Sequence, residues 1–345
     1  MSRRGCSLRR GTNPLQAERR YADDLGRLPS LKKLLNSLFI LVALAVAALV
    51  ARHFRNTGWP LRHANFWLVG VACVVMLAAY VFKAWGWQRL FRKEQRPAVL
   101  TLAAAGGAAS VGGLALPGRC DEVIRVAVVR RCRRRRASFG AVALSIFLLG
   151  LLDSAALAPL ASVALAVAHV GGWMHAGLIV IAAAGVLAAA VVVTLPRLAS
   201  LRAFARFRLG RWVGENSTPP REAAYAWGAV AMSWTLRTVA VFVLLAALGL
   251  GTDFALALAF VCAASASAVL PIAPAGAAMQ AGAGAAILVA SGIHAEEAVA
   301  FGIAAQALLM ATGAVFVAAL GAWHAQGRLQ QSAVAGQLRS TRTVG

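Results

Sequence analysis

Two arginines and a glutamate follow a break in an apolar stretch at a regular spacing. Pro117 and Gly118 form the break, and Arg119, Glu122 and Arg125 come after it. Residues three positions apart are neighbours on a helix surface, so Glu122 can hold one or both guanidiniums in place. Planar guanidiniums and the free backbone N–H groups of a helix N-terminus all donate hydrogen bonds to a phosphate group. The spacing therefore predicts a phosphate-binding site at the start of a helix.

The same residues also allow a structural interpretation. Arg125 precedes an arginine-rich run at residues 130–136, so it can simply be the first member of that run. Glu122 and its neighbour Asp121 would then neutralise part of the positive charge locally. The sequence leaves both interpretations open.

Besides Asp121, which is a candidate next to Glu122, three further polar residues lie inside apolar segments. Asp153 and Arg237 are each near the middle of one, and Gln280 follows a second Pro-Gly break. A charge that faces the middle of a bilayer costs about 2.5–3.5 kcal/mol on insertion scales, so it is a functional candidate by default. Asp153 and Arg237 can form a structural ion pair between helices, or they can serve a substrate or a proton. The spacing does not decide between these roles.

Signatures of enzymes and metal sites are missing from the sequence. It contains no GxGxxG, GxxxxGK[ST], HExxH or GxSxG pattern. The five cysteines form no CxxC pair and have no histidine at metal-ligand spacing. Few acids lie within the apolar segments, which leaves little for general acid/base catalysis. We therefore expect a protein that is not an enzyme and that binds no metal and no cofactor.

The composition identifies the class of protein that must position these residues. The chain has 345 residues, of which 60% are hydrophobic and 14% are charged, whereas soluble domains are about half apolar and a quarter charged. A net charge of +23 accompanies a mean hydropathy of +0.71, because the charges cluster between long apolar runs. This pattern predicts an all-α integral membrane protein. Basic clusters that alternate with membrane spans also exclude a nucleic-acid recognition module.

Six apolar segments are near or above the ~20 residues that cross ~30 Å of hydrocarbon. They lie at about 35–51, 64–82, 139–167, 173–195, 225–250 and 298–323. Two more apolar segments, 98–130 and 254–291, are interrupted by helix-breaking residues. The breaks contain Pro117 and Gly118 in the first segment, and Pro271, Pro274 and Gly276 in the second.

The distribution of basic residues predicts the orientation of these segments. Lys and Arg are concentrated in residues 1–33, 83–97, 130–136, 196–222 and after 323, whereas 168–172, 251–253 and 292–297 contain none. Cytoplasmic flanks carry the excess of positive charge. Both termini should then be cytoplasmic, as tails 1–34 and 324–345 of a single transmembrane domain at 35–323. The loop 52–63, which contains three arginines, is the one misfit.

The two interrupted segments have opposite flanking charge. The first begins and ends next to basic residues, so we expect a re-entrant hairpin that opens from the cytoplasmic side. The second has uncharged or acidic flanks, so its hairpin should open from the outside. Residues 35–167 and 173–323 then form an inverted-topology repeat, in which broken helices commonly face each other near the bilayer midplane. The alternative is a bundle of eight or so ordinary spans with proline kinks.

Several motifs resemble a known membrane family. The first is the segment 116–125, LPGRCDEVIR; the second is 270–276, LPIAPAG, followed by 292–298; and 80–91 adds a third, weaker match. Together they resemble, in order over residues 35–323, the transmembrane domain of lysylphosphatidylglycerol synthases, which is often labelled flippase-like. The sequence departs from that family at Asp121, where Gly is usual, and at Leu149 and Gly150, where a Glu-Arg pair is common. Gln280 also lies near a position where relatives often carry an acid.

The resemblance implies a flippase-like transporter that moves an anionic phospholipid, or a lipid-linked phosphate such as a polyprenyl-phosphate, between membrane leaflets. It implies that Arg119 and Arg125 engage the phosphate while Glu122 orients them. It also implies location in a plasma (inner) membrane. In the synthases a soluble domain performs the aminoacyl transfer, and we expect this chain to be a membrane module without that domain.

Two other functions remain open from the sequence. The chain can be a non-transporting membrane partner that recruits a cell-envelope biosynthesis enzyme through its basic cytoplasmic loops. It can also be a secondary transporter of a small organic anion. A homodimer is compatible with each of these functions.

Overall fold

The computed structural model describes residues 52, 55–56, 64–115, 120–131, 138–167, 172–200, 212, 219–269 and 276–342. The chain divides into two compact units, Met1–His53 and Phe54–Gly345, and every element named below belongs to the second. The predicted span 35–51 lies outside the described residues. So do Arg119 and four residues of the two predicted breaks, Pro117, Gly118, Pro271 and Pro274.

The described part of the chain contains nine α-helices, one 3₁₀ turn and no strand, which confirms the all-α prediction for these residues. The helices are α1 (Phe66–Arg89), α2 (Val99–Ala115), α3 (Cys120–Arg131), α4 (Phe139–Val167), α5 (Trp173–Ser200), α6 (Pro220–Ala247), α7 (Phe254–Val269), α8 (Gly276–Ala290) and α9 (Ala295–Arg342). The 3₁₀ turn, Lys93–Gln95, lies between α1 and α2.

Five of these helices are long and apolar enough to cross a bilayer. They are α1, α4, residues His175–Leu195 of α5, α6, and Ala295–Gln326 of α9. They correspond to five of the six predicted spans. In α5 the side chains of Val180, Val186 and Leu187 are each about two-thirds exposed (64–66%). Apolar surface of this extent requires an apolar solvent, and a lipid bilayer provides it.

Helix α1 shows how local sequence and tertiary contacts together set a span. Its N-cap is Asn65, whose Oδ1 accepts hydrogen bonds from the backbone N–H groups of Trp67 and Leu68 at 3.1 and 3.4 Å. The helix continues to Arg89, past the predicted end of the span at residue 82. Lys83 therefore lies inside the helix and not in a basic loop, which corrects the predicted boundary.

Close packing of small residues holds the centre of the bundle together. The most extensive helix contact joins α1 and α6. A Cβ added to Gly86 would lie 2.9 Å from the backbone oxygen of Ala226, so only glycine allows this approach. About two turns earlier on α1, the carbonyl of Ala79 accepts a 2.7 Å hydrogen bond from Ser233 Oγ of α6. Small residues and interhelical hydrogen bonds are the means by which helices associate in lipid.

The four shorter α-helices of the described residues pack as two consecutive pairs. Helix α2 packs against α3, and α7 packs against α8. Helix α9 contacts both α2 and α8 and so lies beside one member of each pair. Its closest approach is to α2, where a Cβ on Gly107 would collide with the backbone of Gly313. Each pair coincides with one of the two interrupted apolar segments of the sequence.

Candidate functional site

An ion pair and a tryptophan join three helices inside the bundle. Lys83 Nζ of α1 lies 2.8 Å from Asp153 Oδ2 of α4, and the two side chains are only 18% and 21% exposed. The other carboxylate oxygen, Oδ1, accepts a 2.9 Å hydrogen bond from Trp234 Nε1 of α6. Each oxygen of Asp153 therefore has a partner, one the ammonium group of Lys83 and the other the indole N–H of Trp234.

Arg237 occupies the same region without a carboxylate partner among the described residues. Its guanidinium lies over the rings of Trp234, at 4.9 Å, and of Tyr80, at 5.6 Å. Its Nε is buried and has no hydrogen-bond partner within the described part of the chain. Of the roles left open for Asp153 and Arg237, an ion pair between the two is not formed, since Asp153 pairs with Lys83.

Tyr80 connects this region to α2 and α9. Its hydroxyl lies 2.9 Å from Ser110 Oγ of α2 and donates a 3.1 Å hydrogen bond to the carbonyl of Leu309 in α9. Its ring packs against Phe316 with 5.7 Å between centroids. The hydroxyl thus fixes two helices while the ring supports the Arg237 guanidinium.

We call Tyr80, Lys83, Asp153, Trp234 and Arg237 the central cluster. It holds two cations and one carboxylate, which gives a charge of 2 − 1 = +1. At about 1.5 Å per residue, Arg237 lies about 22 Å along α6 from the Glu222 position near the helix start. A net positive charge at that depth is expensive in hydrocarbon, and an anion bound beside it would lower that cost.

The described residues of the predicted phosphate site, Glu122 and Arg125, lie on α3. Arg125 Nη2 lies 3.6 Å from Asp121 Oδ2, one helical turn away. The Arg125 charge also interacts electrostatically with Lys83 and Tyr80. Arg125 and Arg237, which the sequence suggested separately, are therefore both within electrostatic reach of Lys83 and Tyr80. Glu122 is half-buried on α3, and its role in orienting the arginines stays a prediction.

Two further predicted residues lie on α8. Gly276 is the first residue of α8, and Gln280 is half-buried one turn later. No hydrogen bond among the described residues joins Gln280 to the central cluster. Within the same described ranges, no group of three or more His, Cys, Asp or Glu side chains is arranged to hold a metal ion.

Lys83, Tyr80 and Trp234 are functional candidates that the sequence analysis missed. Lys83 was assigned to a basic cluster at the membrane surface because charged residues follow it closely. Its spacing from Tyr80 offered a signal, since residues three apart share one helix face. Trp234 lies three positions before Arg237 on α6, which is the same relationship. In both cases the polar residue and the aromatic residue share the face that points into the bundle.

Comparison with known families agrees with this architecture. The family described as the lysylphosphatidylglycerol synthase TM region matches residues 34–321. The chain belongs to this family. No curated protein and no solved structure matches this chain. The resemblance inferred from the motifs is confirmed, and membership together with the five apolar helices makes the chain an integral membrane protein.

Proposed function

We propose that this member of the family moves a lipid with a phosphate headgroup between the two leaflets of a plasma membrane. The lipid would be an anionic phospholipid or a lipid-linked phosphate such as a polyprenyl-phosphate. The single observation that carries the proposal is Arg237. Its guanidinium lies deep in the bundle between two aromatic rings, with a buried Nε that has no partner among the described residues.

The charges around Arg237 are suited to a lipid phosphate headgroup that moves through the helix bundle. Lys83 is already neutralised by Asp153, so Arg237 supplies the uncompensated charge of the central cluster. A phosphate passing the bundle can take the guanidinium hydrogen bonds that no described carboxylate takes. Arg125, whose charge reaches Lys83 and Tyr80, would receive or release the headgroup on α3. Arg119 and Glu122 are proposed to complete that position.

The helix pairs support a re-entrant arrangement within an inverted repeat. In that scheme α1 corresponds to α6, the α2–α3 pair to the α7–α8 pair, and α4 to α9. The contacts of α1 with α9 and of α6 with α4 are counterparts of each other in this scheme. Both termini would be cytoplasmic. In a cysteine-free background, Lys93→Cys should react with an impermeant thiol reagent from the cytoplasmic side, and Ser291→Cys from the outer side.

Lipid movement can be measured directly in reconstituted vesicles. The full chain is inserted into vesicles that contain phosphatidylglycerol with a fluorescent label on one acyl chain, and an impermeant quencher reports movement between leaflets. Arg237→Gln should slow movement about tenfold or more, because a charge-assisted contact is lost. Arg237→Lys should recover only part of the rate, since lysine keeps the charge but not the planar stack. The exposed Arg92→Gln serves as the matched control.

Three outcomes would contradict the proposal. Unchanged movement in Arg237→Gln and Arg125→Gln would remove the phosphate path. Folded protein that moves no lipid but retains a cell-envelope biosynthesis enzyme would favour the recruiting partner. Uptake of a small organic anion driven by an ion gradient, without lipid movement, would favour a secondary transporter. In the proposed role the chain itself catalyses no covalent step. A homodimer would contain two phosphate paths, one in each chain.

A further inference from the structure

A second group of arginines lies where α1 ends and α6 begins. Glu222 Oε2, in the first turn of α6, is 3.2 Å from Arg89 Nη1 and 2.8 Å from Arg96 Nη2. Arg89 is the last residue of α1, and Arg96 lies in the connection to α2. One carboxylate oxygen thus positions two guanidiniums from different elements.

A shared aromatic ring brings a third arginine, Arg221, close to Arg89. Arg89 lies over the rings of Trp85, at 5.1 Å, and Tyr225, at 5.9 Å. Arg221 lies over the same Tyr225 ring at 5.7 Å and donates a 3.3 Å hydrogen bond to its hydroxyl. Tyr225 therefore lies between two arginines. We call Arg89, Arg96, Arg221, Glu222 and Tyr225 the interfacial arginine cluster.

This cluster carries more positive charge than its structural role needs. Three guanidiniums and one carboxylate give a charge of 3 − 1 = +2. Glu222 would join α1 to α6 with Arg89 alone, and Arg221 makes no ion pair within the described residues. The buried Nε of Arg89 also lacks a hydrogen-bond partner in the described part of the chain. The cluster therefore has donors and charge in excess.

The surroundings favour an anion at the membrane surface. Helix α6 begins at Pro220 without a side-chain cap hydrogen bond, so the positive end of its dipole faces the same place. The side chains of Trp85, Tyr225 and Trp227 on the flanking turns are each more than a third exposed (37–49%). Exposed tryptophan and tyrosine are typical of the level of lipid headgroups.

We propose that the interfacial arginine cluster binds the phosphate group of an anionic lipid headgroup at the membrane surface. The site is separate from the central cluster and does not depend on lipid movement by the chain. Arg221, which is exposed and makes no ion pair within the described residues, contributes free donors and an uncompensated charge to the phosphate. Glu222 is a positioning residue, because it fixes Arg89 and Arg96 without touching the phosphate.

Native mass spectrometry of the full chain in mild detergent can test this site. Dioleoyl-phosphatidylglycerol and dioleoyl-phosphatidylcholine are titrated separately, and the number of retained lipids is counted. Arg221→Gln removes a cation that Glu222 does not hold, so the helix junction stays intact. It should lower retention of phosphatidylglycerol about tenfold, as expected for one charge-assisted hydrogen bond, and leave phosphatidylcholine unchanged. Arg92→Gln removes the same charge from an exposed position on the α1–α2 connection and should have no effect.

The outcomes separate this site from the proposed transport path. Arg237→Gln should remove a lipid bound at the central cluster, whereas Arg221→Gln should remove one bound at the interfacial arginine cluster. The double variant Arg221→Gln, Arg237→Gln should therefore lose both. Equal losses in Arg221→Gln and Arg92→Gln would overturn the site in favour of diffuse surface charge, and no loss in Arg221→Gln would overturn it outright. Displacement of the lipid by millimolar inorganic phosphate would overturn the lipid as ligand and support a free phosphate. Absence of lipid movement in vesicles would leave the results for Arg221→Gln and Arg92→Gln unchanged.

Discussion

Lys83 and Asp153 form a 2.8 Å ion pair that joins α1 to α4 inside the bundle, although 69 residues separate them in the chain. The indole N–H of Trp234, on α6, donates a hydrogen bond to the other carboxylate oxygen of Asp153. Three helices therefore meet at one carboxylate. Removing one partner leaves the other charge buried without compensation, whereas removing both does not.

The first prediction concerns this asymmetry. Lys83→Met and Asp153→Leu should each destabilise the protein by about 3–5 kcal/mol, as expected for an uncompensated buried charge. The double variant should be more stable than either single variant. Thermal unfolding in detergent measures the effect, and the exposed Lys93→Met is the control. Strictly additive losses in the double variant would show that the pair does not act as a unit.

The second prediction concerns the Tyr80 hydroxyl. Tyr80→Phe keeps the ring against Phe316 and Arg237 but removes the hydrogen bonds to Ser110 and Leu309. The expected loss is about 2 kcal/mol, because each of the two bonds contributes about 1 kcal/mol net. Hydrogen exchange should show faster opening of α2, because Ser110 loses its link to α1. Exchange that rises equally in α5 would indicate general destabilisation.

The third prediction uses two glycines with opposite surroundings. Gly107→Ala would drive a methyl group into the backbone of Gly313, so the α2–α9 contact must open. Overpacking of this kind costs about 1–3 kcal/mol. Gly150→Ala is the matched control, because no atom lies within 4 Å of its added Cβ.

Thermal unfolding again provides the comparison. The midpoint of Gly107→Ala should fall, and that of Gly150→Ala should stay the same or rise. A fall of equal size in both variants would mean that the close approach of α2 and α9 does not contribute to stability.

The fourth prediction concerns the junction at Glu222. Glu222→Gln removes the charge that holds Arg89 and Arg96, so three guanidiniums are left to repel one another. Thermal stability should then fall at low ionic strength and recover with added salt, which screens the repulsion. The exposed Glu94, in the same connection, gives the control variant Glu94→Gln. If stability depends on salt identically in the two variants, Glu222 does not offset the repulsion between these arginines.

Most of the helical pattern could be predicted from the sequence, because hydropathy and length act locally. Helix α4 was predicted at 139–167 and is present as Phe139–Val167. The end of α1 was misplaced because Lys83 and Arg89 are charged. Their partners, Asp153 and Glu222, lie far along the chain. Only the fold brings them together, so no local rule can keep such residues inside a helix.

The candidate site was predictable in part for the same reason. Arg125, Asp153 and Arg237 were identified because charge inside an apolar segment is visible in one sequence. Their pairing was not visible, since Arg237 is stabilised by aromatic rings and Asp153 by a lysine assigned to the surface. The aromatic members of the cluster carry no charge and could not be distinguished from ordinary apolar residues.

Trp234 has a consequence of another kind. Its indole N–H is bound to Asp153, and its ring lies under Lys83 at 5.4 Å and Arg237 at 4.9 Å. Nearby charges shift the energy of indole's excited state, so the emission colour of this residue depends on where those two cations sit. A phosphate that drew Arg237 off the ring would change that colour. Subtracting the spectrum of a Trp234→Phe variant isolates the signal from the other eight of the nine tryptophans. The protein thus carries its own optical sensor of occupancy, and no label is required.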